Sequence, residues 1–293
     1  MEIYHQSVLL REVVAVLHVQ KNAWYLDLTL GDGGHSLEIL KKGGKVVGID
    51  VDPVALERAK DRLQDADYSE QDFVLIQGNF RDINNLIAQT EIDQKFAGAI
   101  FDLGVSSLQL DTPQRGFSFL REGPLDMRMD PYLEVNALDL IRGLNKGELY
   151  ELFTKLGEEK FARKLAAAVV LSRQIINTTA DLARVIESSI GRHGKIHPAT
   201  KIFQALRIAV NDELPALKEG LEASLSRIDK NGYIIVISFH SLEDRIVKNA
   251  FRDWQNLGFG QIILKKPLSP SNEEITQNPR ARSAKLRVFQ KLI

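Results

Sequence analysis

Apolar residues recur along this chain in two alternating rhythms. Short apolar runs bounded by glycines or acids read as strands, and runs with apolar positions three and four apart read as helices. A first, mostly apolar helix carries Val8, Leu9, Leu10, Val13, Val14, Val16 and Leu17, a face suited to pack on a sheet. Trp24-Tyr25-Leu26-Asp27-Leu28 then reads as a buried strand that runs into the glycine knot Gly31-Asp32-Gly33-Gly34. Leu37, Ile39 and Leu40 restore the helical spacing after it. Lys45 to Asp50 is a second strand, and Pro53 to Leu63 is a helix with proline in its first turn. Phe73-Val74-Leu75-Ile76 is a third strand, followed by Gly78-Asn79-Phe80, and Ile83, Leu86 and Ile87 give the next helical face. Phe96 to Phe101 is a fourth strand that ends at Asp102.

After Asp102 the rhythm breaks. Small residues and loops lead to a stretch from Ala137 to about Ile228 that reads as helix throughout. It includes one helix from about Glu158 to Ile176, an N-cap at Thr179 or Asp181 opening Leu182 to Ile190, and a helix from Pro198 through Ala209. Strand pattern resumes at Gly232 to Ser238, with later runs at Gln261–Leu264 and Leu286–Leu292. The expectation is an α/β protein, a doubly wound parallel sheet interrupted by an inserted all-helical domain. The expected limits are residues 1–108 for the first part of the core, 109–228 for the insertion and 229–293 for the second part of the core. An insertion at a strand's carboxyl end is expected to roof a site and select its substrate.

In such sheets ligands sit outside the carboxyl ends of the strands, where Asp27, Asp50, Phe80 and Asp102 fall. A strand, a glycine turn, a helix and a second strand tipped with a carboxylate make half of a nucleoside-binding sheet, with Asp50 placed to accept from ribose hydroxyls. The dinucleotide fingerprint is broken, because its third glycine is replaced by Ser36, and no Gly-Lys-Ser/Thr follows for a phosphate loop. Asp32 within the loop is expected to repel a pyrophosphate. A ribose-bearing ligand without phosphate fits better, and S-adenosylmethionine is one. The plain alternative is that these glycines only form a turn.

Composition narrows the classes. The 293 residues contain no cysteine, which excludes disulfides and thiolate metal sites, and the histidines lack zinc-helix spacing, so no metal is expected. No apolar run approaches a membrane span and the first residues resemble no targeting segment, so the expectation is cytoplasmic with no membrane partner. With a net charge of −1, nucleic-acid contact requires a local patch. The segment Asn278 to Lys291 offers one through Arg280, Arg282, Lys285, Arg287 and Lys291, with Arg121, Arg128, Arg192, Lys195 and Lys201 elsewhere. The alternative is an ordinary solvated face. Asp102 is the candidate to accept a hydrogen bond from a nucleophilic amine. His240, in Ser238-Phe239-His240-Ser241-Leu242-Glu243-Asp244-Arg245, reads equally as a base or as part of a helix cap, and His5 reads as a cap before it reads as a residue that reaches a site.

Several strings together resemble one family. They include His5-Gln6-Ser7-Val8-Leu9-Leu10, Gly33-Gly34-His35-Ser36, Asp102-Leu103-Gly104-Val105-Ser106-Ser107, Arg115-Gly116-Phe117-Ser118-Phe119 and Leu125-Asp126-Met127-Arg128-Met129. His197-Pro198-Ala199-Thr200, Phe203 to Ile208, Ser238 to Arg245 and Asn278 to Ala284 continue the match in order. The chain resembles the bacterial 16S ribosomal RNA methyltransferase H family, also called MraW. The resemblance implies a class I, Rossmann-like methyltransferase fold and S-adenosylmethionine-dependent N4-methylation of a cytidine near the decoding centre of 16S rRNA. It implies cofactor contacts at Gly33, Gly34, His35, Asp50, Phe80, Asp102 and Gln109. The family fixes no catalytic residue by motif, and the candidates here are Asp102, His240 and Ser106. Arg115, Arg121, Arg128, Arg280, Arg282 and Lys285 are the RNA-binding candidates. The partner is expected to be 16S rRNA in the small ribosomal subunit, and a homodimer stays open. Two departures, Leu108 where the family has proline and Thr112 where an acid often follows Asp111, alter only one loop. Competing classes are a nicotinamide oxidoreductase, disfavoured by the broken fingerprint, and an assembly factor that binds RNA without catalysis.

Overall fold

The computed structural model describes Tyr4 and residues 6–192 and 197–293; His5 and Lys195 lie outside the described residues. The first elements are α1 (Leu10–Leu17), β1 (Trp24–Asp27), α2 (Gly34–Lys41), β2 (Lys45–Asp50), α3 (Pro53–Gln64), β3 (Phe73–Gln77), α4 (Ile83–Ile87) and β4 (Phe96–Asp102). Helices follow: α5 (Ser107–Asp111), α6 (Ala137–Gly143), α7 (Lys146–Lys155), α8 (Ala162–Ser172), α9 (Thr179–Ile190), α10 (Thr200–Val210) and α11 (Glu213–Arg227). The chain ends with β5 (Ile228–Ser238), α12 (Ser241–Asn256), β6 (Gly260–Ile262), α13 (Asn272–Gln277) and β7 (Lys285–Lys291).

The strands form one seven-stranded sheet in the order β3-β2-β1-β4-β5-β7-β6. β1 to β5 pair in parallel, with Leu26 opposite Val47 and Ala99, and β7 runs antiparallel to β5 and β6. Side chains alternate across the pleat, so each strand feeds two cores. Leu26, Val47, Phe101, Val236 and Phe289 join Leu217 and Leu221 of α11 and Val247, Phe251 and Trp254 of α12 on one side. Tyr25, Val46, Ile100, Ile235 and Val288 join Val13 and Leu17 of α1, Ile39 of α2 and Leu63 of α3 on the other. Both faces being covered explains why these strands read as continuous apolar runs.

The chain divides into two compact units, Met1–Gly104 with Leu214–Ile293, and Val105–Glu213. The second unit has its own core, built from Phe117, Leu125, Met127, Ile141, Leu149, Phe153, Leu165, Val169, Leu182, Ile186, Ile202, Phe203 and Leu206. The sequence reading carries the insertion to residue 228, whereas the unit ends at Glu213. The reason is that Leu217 and Leu221 of α11 bury against the sheet. The single helix expected from Glu158 to Ile176 is shorter, because Glu158 takes a φ of 46° and α8 begins only at Ala162. The cap of α9 is Thr178, whose hydroxyl accepts from Asp181 N–H while the Asp181 carboxylate accepts from Thr178 N–H.

Candidate active site

The glycine knot makes the turn from β1 into α2. Gly33 precedes α2 with a φ of 70°, a conformation that a side chain disfavours, and its N–H closes the turn on Leu30 O at 2.8 Å. Gly34 is needed for a different reason: a Cβ there would overlap the Ser7 hydroxyl. The segment bearing Ser7 is strapped down from the far end of the sequence, since Leu9 N–H donates to Glu274 Oε1 at 2.7 Å and Asn278 Nδ2 donates to Gln6 O at 3.3 Å. Asp32 does not stand as a bare charge in the loop. Arg58 grips it through Nε at 2.9 Å and Nη2 at 3.2 Å, and Arg62 donates to its backbone oxygen. The expected repulsion of a pyrophosphate by Asp32 is therefore neutralised internally, and the argument against a phosphate ligand rests on the broken glycine fingerprint at Ser36 and the missing loop lysine.

Asp50 ends β2 and braces this loop. Its Oδ2 accepts from Gly31 N–H at 2.8 Å and its Oδ1 from Asp52 N–H at 2.9 Å. Burial raises its pKa to about 6 against the pull of those two donors. Phe80 follows β3, sits edge-on to Phe101 with ring centres 5.5 Å apart, and finds room because Gly220 of α11 has no side chain to meet its ring.

Asp27 on β1, His35 on α2 and Asp102 on β4 converge at the same carboxyl edge. Ser36 Oγ donates to Asp27 Oδ2 at 2.7 Å, His35 Nε2 lies 3.4 Å from Asp102 Oδ2, and Asp102 N–H donates to Thr29 Oγ1 at 2.6 Å. Burial raises the pKa of Asp27, opposed by His35 and Ser36. Burial disfavours the charged His35 ring, but the facing Asp102 carboxylate and the charge of Asp27 outweigh it, so its pKa rises. Asp27 Oδ1, both His35 nitrogens and Asp102 Oδ1 are buried without a hydrogen-bond partner. Native interiors rarely leave such groups unmatched, so this concentration marks a place where a polar ligand fits.

The remaining candidates are held by local partners. His240 caps α12: its Nδ1 accepts from Glu243 N–H, its Nε2 lies 3.1 Å from Glu243 Oε1, and the Glu243 carboxylate accepts from Phe239 N–H. Ser106 and Gln109 form a second reciprocal cap at α5, with Ser106 Oγ accepting from Gln109 N–H and Gln109 Oε1 from Ser106 N–H. Arg115 donates to the carbonyls of Arg128 and Met129, and Arg121 to that of Asp111. Arg128 holds Asp126 through Nε at 2.8 Å and Nη2 at 2.9 Å. Lys285 lies 3.4 Å from Asp244, which also holds Arg287 at 2.7 Å. Arg280 and Arg282 are exposed. Arg192 pairs with Glu187, and Lys201 donates to Glu158 O at 2.8 Å. The sequence reading missed the Arg58–Asp32 grip and the Ser36–Asp27 bond. The two caps carried a legible signal, a polar cap residue with Gln or Glu three positions on.

A sheet ordered 3-2-1-4-5-7-6 with β7 reversed, a glycine turn after β1 and carboxylates tipping β2 and β4 is that of a class I methyltransferase. The match to protein families is specific: the model of the MraW methylase family spans residues 2–292, and the chain belongs to that family. It is 45% identical over 295 residues to the ribosomal RNA small subunit methyltransferase H of Sulfurihydrogenibium azorense, covering 98% of this chain and 99% of that one. It is 47% identical over 302 residues to the protein of the same name from a Synechococcus species, covering 97% and 91%. Among solved structures, an rRNA methylase from Streptococcus thermophilus aligns over 99% of this chain and 100% of that one, with a TM-score of 0.46 and 12% identity. The protein is a methyltransferase that takes S-adenosylmethionine as its methyl donor. The carboxyl edge has polar atoms that suit such a donor: Asp50 ends β2 and braces the glycine turn, and buried atoms of Asp27, His35 and Asp102 lack hydrogen-bond partners. No helix among the described residues is long and apolar enough to cross a membrane.

Proposed function

We propose that this protein methylates the exocyclic N4 of a cytidine in the decoding region of 16S rRNA. The observation that carries the reading is Asp102. It ends β4 at the ligand edge, its side chain is 21% exposed, and its Oδ1 has no partner within the protein. The relatives' name, ribosomal RNA small subunit methyltransferase H, supports the substrate class.

S-adenosylmethionine, when bound, supplies an electrophilic methyl on a sulfonium. The chain's own residues do the rest. Gly33, Gly34 and His35 at the start of α2, Asp50, Phe80 and Gln109 hold the donor in this reading. A cytosine amine is a weak nucleophile because its lone pair is delocalised into the ring. Asp102 accepts a hydrogen bond from that amine, returns electron density to nitrogen and fixes its approach. Ser106 and His240 contribute through the helix starts they cap. Arg280 and Arg282 supply exposed cations for the RNA backbone, and Arg115, Arg121, Arg128 and Lys285 are the further candidates for RNA contact. The base leaves its stack to reach the edge.

The deciding experiment is nucleoside mass spectrometry of small-subunit rRNA from a strain lacking the gene, before and after complementation with this chain. N4-methylcytidine absent from the deletion strain and restored by complementation is expected. Restoration of another methylated nucleoside, or of none, refutes the assignment. Binding to small subunits without methyl incorporation would instead support an assembly factor.

A further inference from the structure

The three converging side chains at the carboxyl edge make a charge problem. Asp27 is 1% exposed and His35 is 4% exposed, with Asp102 against the ring. Were the ring neutral, the buried Asp27 carboxylate and the partly exposed Asp102 carboxylate would feel each other's charge with no cation set against Asp102. Donor and acceptor matching points the same way. A neutral imidazole needs a donor to face one of its nitrogens, whereas an imidazolium needs two acceptors. The group facing Nε2 is a carboxylate oxygen, Asp102 Oδ2 at 3.4 Å, and Asp27 acts on the ring through its charge. The other charges acting here come from α3 and β2. Arg62 opposes a positive ring, though it is engaged with the Asp32 carbonyl, and the charges of Asp27 and Asp50 bear on each other, raising the Asp50 pKa.

We propose that His35 is a positioning residue whose ring, with Nε2 set 3.4 Å from Asp102 Oδ2, fixes the Asp102 carboxylate for the transfer step. Asp27 then acts at one remove, by holding the ring charged, and Ser36 aims Asp27. The proposal deepens the assignment of Asp102 to the target amine and rests on it. The order of events is chemical: a carboxylate that must accept from a weakly acidic N–H works best when its other oxygen is fixed and its rotation is stopped.

The test has one arm that uses neither RNA nor turnover. Imidazole 15N–13C NMR of the full chain, titrated across neutral pH, is expected to show His35 titrating above the ordinary histidine value of about 6.5. Asp27→Asn is expected to lower that midpoint by at least about half a unit. In the second arm, His35→Gln is expected to lower kcat, measured at saturating donor, at least about tenfold, a barrier change near 1.4 kcal/mol. Wild-type kcat should fall as pH rises through the His35 midpoint, because the cation is lost, and that limb should be missing from His35→Gln. A midpoint at or below the ordinary value overturns the proposal, and so does a His35→Gln enzyme with wild-type kcat and an unchanged pH profile. Should His35→Gln fail to fold, the wild-type and Asp27→Asn titrations decide. Because the first arm ignores the substrate, its failure is distinct from an error in assigning Asp102.

Discussion

Replacing Asp50 by asparagine separates donor binding from fold stability, and the structure gives the magnitudes. Each carboxylate oxygen now accepts one backbone N–H, from Gly31 at 2.8 Å and Asp52 at 2.9 Å. Asparagine keeps one acceptor and turns an N–H2 toward the other donor, so one charge-assisted bond is lost, about 1.5–3 kcal/mol. Against that loss, the variant escapes the burial that raises the carboxyl from 3.8 to about 6, which is worth at most about 3 kcal/mol. The sign follows from linkage: the folded state binds this proton more tightly than the unfolded chain. The penalty is therefore full above about pH 6 and fades as pH falls toward 4. The two terms offset at neutral pH, so the melting temperature without ligand should move little. If Asp50 accepts from the ribose hydroxyls, as proposed, donor affinity has no such offset, and Kd should rise about 10- to 100-fold. Calorimetry with S-adenosylmethionine reads this directly. Wild-type affinity should also weaken as pH drops through about 6, with proton release visible as a buffer-dependent enthalpy, and the variant should lack that slope. A variant that binds within about threefold of wild type at neutral pH, or that keeps the slope, refutes the reasoning.

Asp102→Ala should lower turnover at least about 100-fold while RNA affinity changes less than about threefold, measured by methyl incorporation and filter binding; equal losses would remove it from the chemistry. Arg282→Ala, at an exposed position, should weaken RNA binding and reduce the salt slope by about one, and an unaltered slope places it off the RNA path. Gly34→Ala drives a methyl into the Ser7 hydroxyl, so the melting temperature should fall and Ser7→Gly should recover part of it; no recovery would mean that the strap does not bear on the loop. Burial acts to raise the pKa of Asp126, but the hydrogen bonds and charge of Arg128 hold it below the ordinary carboxylate value. The stability from that pair is present above the unfolded value and is lost as pH falls through the depressed native one. Asp126→Asn should therefore cost about 1–3 kcal/mol near neutrality and less in acid, read by denaturant melts at the two pH values.

The strands were legible because both faces of the sheet are covered. Runs such as Val46-Val47 and Ile234-Ile235-Val236 are apolar on consecutive positions, and only a doubly covered strand wants that. α11 shows the limit. Its apolar spacing announces a helix, yet nothing in the spacing says which core Leu217 and Leu221 join. Strand ends placed Asp50, Phe80 and Asp102 along one edge, since that follows from topology. What those residues touch did not follow. Arg58 closes on Asp32 across 26 residues, and Ser36 turns onto Asp27 only once α2 has docked on β1. Side-chain contacts between elements are fixed by packing, which a one-dimensional pattern does not encode.

The order of pairing in the sheet has a consequence for synthesis on the ribosome. β3, β2, β1 and β4 are complete once residue 102 has emerged, but the free edge of β4 waits for β5, which begins at residue 228. During that interval Ala99, Ile100 and Phe101 offer unpaired backbone to any passing strand. Residues 105–213 form a unit with a core of its own, so they can collapse locally while the edge waits. Joining β5 to β4 then closes a loop whose ends are already restrained, and a slow translation pause after residue 238 should reduce aggregation of the nascent chain.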